Sequence, residues 1–182
     1  LPIAHGYGRP YNYIELPDED GLFELRDVPH GTLTQEFYKS KISDNWEKLI
    51  VYLPPCVPSA GLPVLYLQHG FGESEISWST TGKVNLLMDN LIAAGKIKPF
   101  AIVMGNGMVK QRIDGKLKLN RALYGQMLVE EILPMLEKKY QFGGSKEKRG
   151  MAGLSMGSVQ TTRIICEHPE LFSEVGIFSG FL

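Results

Sequence analysis

The sequence predicts an α/β fold, a mostly parallel sheet entered through an antiparallel hairpin and covered by helices on both faces. Two observations carry this. Short runs that suit doubly buried strands (62–68, 100–104 and 149–154) alternate with stretches of helical period (84–94, 123–140 and 157–167). Strand and helix in alternation imply parallel pairing, because each helix carries the chain back across the sheet. Ahead of them, 32–39 alternates and 46–53 reads as a second strand, the two joined by a short polar turn.

Residues 1–31 show no helical period. Gly6, Gly8, Pro10, Pro17 and the run Asp18-Glu19-Asp20 break them up, and they read as an irregular lead-in. Residues 32–39 set Leu33, Phe37 and Tyr38 among polar neighbours, and Ser43-Asp44-Asn45 turns the chain into 46–53, giving the hairpin. Pro54-Pro55 stops it, since proline cannot donate to a ladder. The apolar run 62–68 leads directly into His69-Gly70-Phe71-Gly72. Residues 84–94 carry Leu86, Leu87, Asn90, Leu91 and Ala94 at three- and four-residue spacing, a helix stopped by Gly95. Strand 100–104 ends at Gly105-Asn106-Gly107, and the polar residues 108–120 read as a loop. Residues 123–140 form a long amphipathic helix that Pro134 kinks. A strand at 149–154, a helix from about Gly157 to Glu167 and a strand around 175–178 complete the order.

A length of 182 residues suits one domain. The 19 basic residues balance 20 acidic ones, which argues against a nucleic-acid or anionic-membrane surface. The one basic cluster, Lys146 to Arg149, reads as a solvated turn. Cys56 and Cys166 lack metal-ligand spacing, so no metal and no other cofactor is expected, and nothing in the sequence decides whether they pair. No apolar run approaches the roughly 20 residues of a membrane span. The chain starts at Leu1 with no signal peptide, which reads as a processed or excised N-terminus.

Gly153-Leu154-Ser155-Met156-Gly157 matches G-x-S-x-G with a strand before it and a helix after it, the context a nucleophile elbow requires. The turn is tight, glycine on either side removes Cβ atoms that would clash, and Ser155 is lifted above the carboxyl edge of the sheet in a strained conformation. The following helix aims its positive end at the site. An attacked carbonyl also needs donors placed in advance. One is the N–H of Met156. The other is expected in His69-Gly70-Phe71-Gly72, after the third strand, with the Phe71 N–H favoured and Gly72 as its neighbour.

Four blocks, Val51-Tyr52-Leu53-Pro54-Pro55, Leu65 to Gly72, Met88 to Ala93 and Ala152 to Gly157, together resemble the esterase D-type family. That family includes feruloyl and acetylxylan esterases of carbohydrate esterase family 1, enterochelin esterases and S-formylglutathione hydrolase. His168-Pro169-Glu170-Leu171-Phe172 and Phe178-Ser179-Gly180 add to the likeness, which runs from about Val28 to the end. Cys56 and Gly105 depart from the usual glycine and proline. The resemblance implies an α/β-hydrolase fold, partial over 28–182 and stopping after about the sixth strand, with 1–27 a lead-in or interdomain linker. It implies a serine carboxylic-ester hydrolase acting on feruloyl or acetyl esters of plant polysaccharide, secreted or periplasmic. The siderophore and thioester hydrolases of the same family are the alternative.

In the family the triad acid and histidine follow further strands after Phe-Ser-Gly, so neither is expected in this chain. Of the four histidines, His5 lies in the lead-in, His30 precedes the first strand, His168 lies in a turn, and His69 is expected to brace its loop. Glu130 and Glu131 read as an ordinary helix face or satisfied acids. Three readings follow: part of a longer esterase, a chain completed by a second chain, or a binding module for carbohydrate or phenolic esters.

Overall fold

The computed structural model describes residues 1–180. The lead-in holds a hairpin, β1 (Ile3–Gly6) and β2 (Arg9–Asn12), paired antiparallel. Sequence reading gave no regular element there because four-residue strands are too short to show a period, and the glycines read as breaks are the turn itself: Tyr7 and Gly8 both have positive φ.

The main sheet has six strands in the spatial order β10-β9-β5-β6-β4-β3. The expected hairpin is β3 (Thr32–Ser40) with β4 (Asn45–Leu53), and β4 also pairs antiparallel with β6 (Ala101–Gly105). From β6 onward the pairing is parallel, through β5 (Val64–Gln68), β9 (Arg149–Leu154) and β10 (Glu174–Phe178). Adjacent β4 residues face opposite layers. Leu49 and Val51 join a core with Tyr66, Val103, Leu128, Leu136 and Met151, whereas Ile50 and Tyr52 join a second core with Leu67, Ile102 and Met88. That two-sided burial is why these strands read as unbroken apolar runs.

Short α1 (Ser77–Thr80) precedes α2 (Val84–Ala93). The deepest residues of α2 are Met88, Asp89 and Asn90; of the expected face only Asn90 is fully buried, and its leucines are half-buried. The polar pair is buried because it ties down the lead-in: the Asn90 amide donates to the carbonyls of Leu22 and Glu24 at 2.8 and 2.9 Å. Residues 110–119 form a second hairpin, β7 (Lys110–Ile113) and β8 (Lys116–Leu119), where sequence reading expected a loop. All but one of its strand residues are exposed, so no apolar alternation marked it.

The long helix is α3 (Leu123–Met127), one π turn (Leu128–Ile132) and α4 (Leu133–Tyr140). Pro134 has no N–H for the preceding turn, and the ladder widens there, with the Leu133 N–H reaching back five residues to Leu128. Glu131 is satisfied at one oxygen only: Oε1 accepts the N–H groups of Lys41 and Ile42 at the β3–β4 turn, whereas the buried Oε2 has no partner among the described residues. The Lys146 to Arg149 cluster is not wholly solvated. Arg149 forms a two-pronged pair with Glu137, at 2.6 and 2.7 Å, behind the start of β9. Cys56 and Cys166 are free and exposed. α5 (Met156–Glu167) follows β9 directly, and on β10 Val175 and Phe178 remain nearly half exposed. Among the described residues no helix is long and apolar enough to cross a membrane.

Candidate active site

Ser155 occupies the single residue between β9 and α5, with φ 53 and ψ −111, a combination side chains rarely adopt. The two glycines of the motif explain how the turn closes. A Cβ on Gly153 would run into the Gly157 carbonyl, and one on Gly157 would lie 2.7 Å from the carbonyl oxygens of Gln68 and His69. The elbow therefore packs backbone to backbone against the end of β5. Both polar groups of the Ser155 backbone are held: its N–H donates to the Phe178 carbonyl at 2.9 Å, and its carbonyl accepts the N–H groups of Ser158 and Val159. The strained residue is thus over-determined by its neighbours, and its side chain remains partly exposed.

The loop after β5 is braced from both sides. Gly107 donates its N–H to His69 Nε2 at 3.0 Å, which puts the imidazole proton on Nδ1, where it meets the Gly70 carbonyl at 2.8 Å. His69 is buried, and burial pushes its pKa below the ordinary histidine value. Gly70 donates to Glu73 Oε2 at 2.9 Å, and Gly72 donates to Met108 Sδ at 3.5 Å. The Phe71 carbonyl accepts the Tyr7 N–H at 3.0 Å. One backbone donor in this loop is left over: among the described residues the Phe71 N–H has no acceptor. Met156, as first residue of α5, has no intrahelical acceptor for its N–H either. The two donors singled out in the sequence are therefore both unengaged, whereas the neighbouring Gly72 N–H is taken by Met108.

A cleft of about 430 Å³ opens beside Met156. Its walls include Asn120 and Arg121 from the segment before α3, and Val159, Gln160 and Arg163 from α5. The Arg121 guanidinium lies 5.1 Å over the Phe71 ring, and Gln160 donates to the carbonyls of Gly107 and Arg121. Met108, Arg121 and Trp78, whose indole N–H donates to the Gln68 carbonyl at 3.0 Å, were not singled out in the sequence. Each acts through a contact made only in the fold, and the one local sign, Gly105-Asn106-Gly107, reads simply as a strand end.

No histidine is hydrogen-bonded to Ser155 among the described residues. His69 uses both ring nitrogens in its loop. His30 bonds Asp89 Oδ2 at 2.9 Å and the Arg26 carbonyl at 3.0 Å, and His168 lies 3.5 Å from Glu170. No cluster of side chains that could hold a metal ion occurs among the described residues.

Comparison with known proteins agrees with this geometry. The endo-1,4-beta-xylanase/feruloyl esterase of Xylanibacter ruminicola is 39% identical over 176 residues, covering 92% of this chain and 24% of that protein. The chain thus spans about a quarter of the length of this curated relative. A ferulic acid esterase from Anaeromyces mucronatus, solved with ferulic acid, superposes with a TM-score of 0.79 at 22% identity, over 90% of this chain and 63% of that one. A feruloyl esterase module from Clostridium thermocellum, complexed with sinapinate, gives 0.73 at 20%, over 96% and 59%. These superpositions show the α/β-hydrolase fold. The Esterase family model matches residues 40–182, and the chain belongs to that family.

Proposed function

We propose that this chain carries the nucleophile and oxyanion hole of a serine esterase that cleaves aromatic acyl esters, of the feruloyl type, from plant polysaccharide. The observation that supports it most is the elbow itself: Ser155 held at φ 53, with the Met156 and Phe71 N–H groups without acceptors among the described residues. Ser155 Oγ attacks the ester carbonyl carbon and gives its proton to a base. The carbonyl oxygen becomes an anion, accepting from Met156 and Phe71. Collapse expels the sugar hydroxyl, which takes the proton, and leaves an acyl ester on Ser155. Water then attacks that ester by the same route and frees the acid and the serine.

The histidine that takes the proton is assigned outside residues 1–180, in the full-length protein or a second chain: His30 and His69 have both ring nitrogens engaged elsewhere, and neither His5 nor His168 is hydrogen-bonded to Ser155 among the described residues. The feruloyl assignment rests on what the relatives act on or bind, and an acyl group of that size suits the cleft beside Met156. A plant-wall substrate implies a secreted or periplasmic protein.

Release of ferulate from methyl ferulate and from feruloylated arabinoxylan tests this, in the full-length protein and its Ser155→Ala variant. Turnover that falls by about a thousandfold or more in the variant is expected. Equal rates in both proteins would sink the reading, and binding of the glycan without Ser155-dependent turnover would favour a binding module.

A further inference from the structure

The β1–β2 hairpin docks its turn on the loop that carries the Phe71 N–H. Tyr7 donates its own N–H to the Phe71 carbonyl at 3.0 Å. Gly72, at φ +77, lies so close to the turn that a Cβ would collide with the backbone nitrogens of Tyr7 and Gly8. The Tyr7 and Phe71 rings lie 6.4 Å apart. Core packing does not account for the hairpin's presence: Tyr7 is 80% exposed, and within the two strands only Ala4 and Gly6 are buried. The rest of the lead-in is tied down separately. Lys83 pairs with Glu15 at 2.6 Å, Asn90 holds the carbonyls of Leu22 and Glu24, and Asp89 accepts the Gly31 N–H at 3.0 Å.

We propose that the β1–β2 hairpin is a working part of the catalytic site, with Tyr7 a positioning residue whose backbone fixes the Phe71–Gly72 peptide, restricts rotation about Phe71, and so steadies the adjoining Gly70–Phe71 peptide, whose N–H is directed at the developing oxyanion. The inference rests on reading Ser155 as the nucleophile and Phe71 as an oxyanion donor. A donor stabilises the transition state only if it is held in place before the charge forms. A displacement of about 1 Å costs up to about a hundredfold in rate. The Phe71 loop has glycine on both sides, so its peptide planes depend on outside contacts. The Gly70–Phe71 plane, which bears the Phe71 N–H, is held through the Gly70 carbonyl by the His69 ring and the Glu73 N–H. The hairpin and Met108 hold the other. Because the oxyanion exists only beyond the ground state, loosening the second plane lowers kcat and leaves KM nearly alone.

The test replaces residues 3–12 of the full-length protein with a Gly/Ser linker of equal length. kcat and KM are measured on p-nitrophenyl acetate and methyl ferulate, with Ser155→Ala subtracted as background. The expected result is a fall in kcat of about tenfold or more on both esters, with KM within about twofold. Gly8→Val is the second variant. It places a β-branched residue at φ +75 with no new contact, strains the turn alone, and gives a smaller fall of the same kind. In both variants hydrogen exchange across residues 70–74 is faster than in the parent. If the linker variant does not fold, Gly8→Val decides. An unchanged kcat in a folded variant, or a loss confined to KM, overturns the inference while parent turnover remains Ser155-dependent. A parent with no Ser155-dependent turnover overturns the proposed function, and this inference falls with it.

Discussion

His69 and Gly107 are joined by a hydrogen bond in which the buried imidazole Nε2 accepts the backbone N–H at 3.0 Å, linking the end of β5 to the loop after β6. An imidazole used in this way is a brace, with no free nitrogen for Ser155. His69→Phe leaves the Gly107 N–H without its acceptor and is expected to cost about 1–3 kcal/mol, read by urea unfolding. Turnover of the full-length protein falls but remains Ser155-dependent. Abolition at unchanged stability would show that His69 is the base.

Acidification should weaken the fold through the same residue. Burial lowers the His69 pKa, so its contribution is complete above the ordinary value of 6.5 and is lost as pH falls through the lowered one. His30 has the opposite sign. Its hydrogen bond to Asp89 raises its pKa, so its contribution is present below 6.5 and is lost as pH rises through the raised value. His30→Gln should therefore steepen the drop in Tm between pH 7 and pH 5. A shallower drop would contradict this pairing of signs.

The elbow should tolerate no added methyl. Gly157→Ala puts a Cβ 2.7 Å from two backbone carbonyls that cannot rotate away. A loss of about 1–3 kcal/mol is expected by denaturant melt, together with loss of turnover. Gly150→Ala, likewise outside the positive-φ region, meets nothing nearer than 3.4 Å and serves as the control for glycine replacement.

Asp89, 2% exposed, accepts the Tyr52 hydroxyl at 2.6 Å, the Gly31 N–H at 3.0 Å and the His30 ring. Asp89→Ala strands these donors and is expected to cost about 3 kcal/mol. Tyr52→Phe alone should cost about 1–2 kcal/mol. The double variant should lose less than the sum, because the two single changes break one shared bond.

The sheet was legible in the sequence wherever both faces are buried, as in β4, β5 and β6, because burial leaves an unbroken apolar run. The elbow was legible because steric demand imposes its glycines within five residues. The β1–β2 and β7–β8 hairpins were not legible. Their strands are short and mostly exposed, so solvent imposes no alternation, and what holds β1–β2 in place is a bond to a residue more than sixty positions away. Asp89 was hidden for a related reason: a polar side chain on a helix reads as its wet face unless its partners are known. Of the site, the residues supplied by one local turn could be read in advance, and the braces, Met108, Tyr7 and Trp78, required the fold.

The position of β5 at the middle of the sheet bears on how the chain is made. Its partner β9 lies about eighty residues further along. At roughly 5–20 residues per second, a ribosome leaves the β9 side of β5 open for about 4–16 seconds. The segment that completes it is the one that ends in Ser155, so the newborn chain cannot acquire its nucleophile turn before its apolar centre has stood unpaired. A chaperone binding Val64 to Gln68 during synthesis would guard that interval, and strains short of such help should yield aggregates rather than slow enzyme.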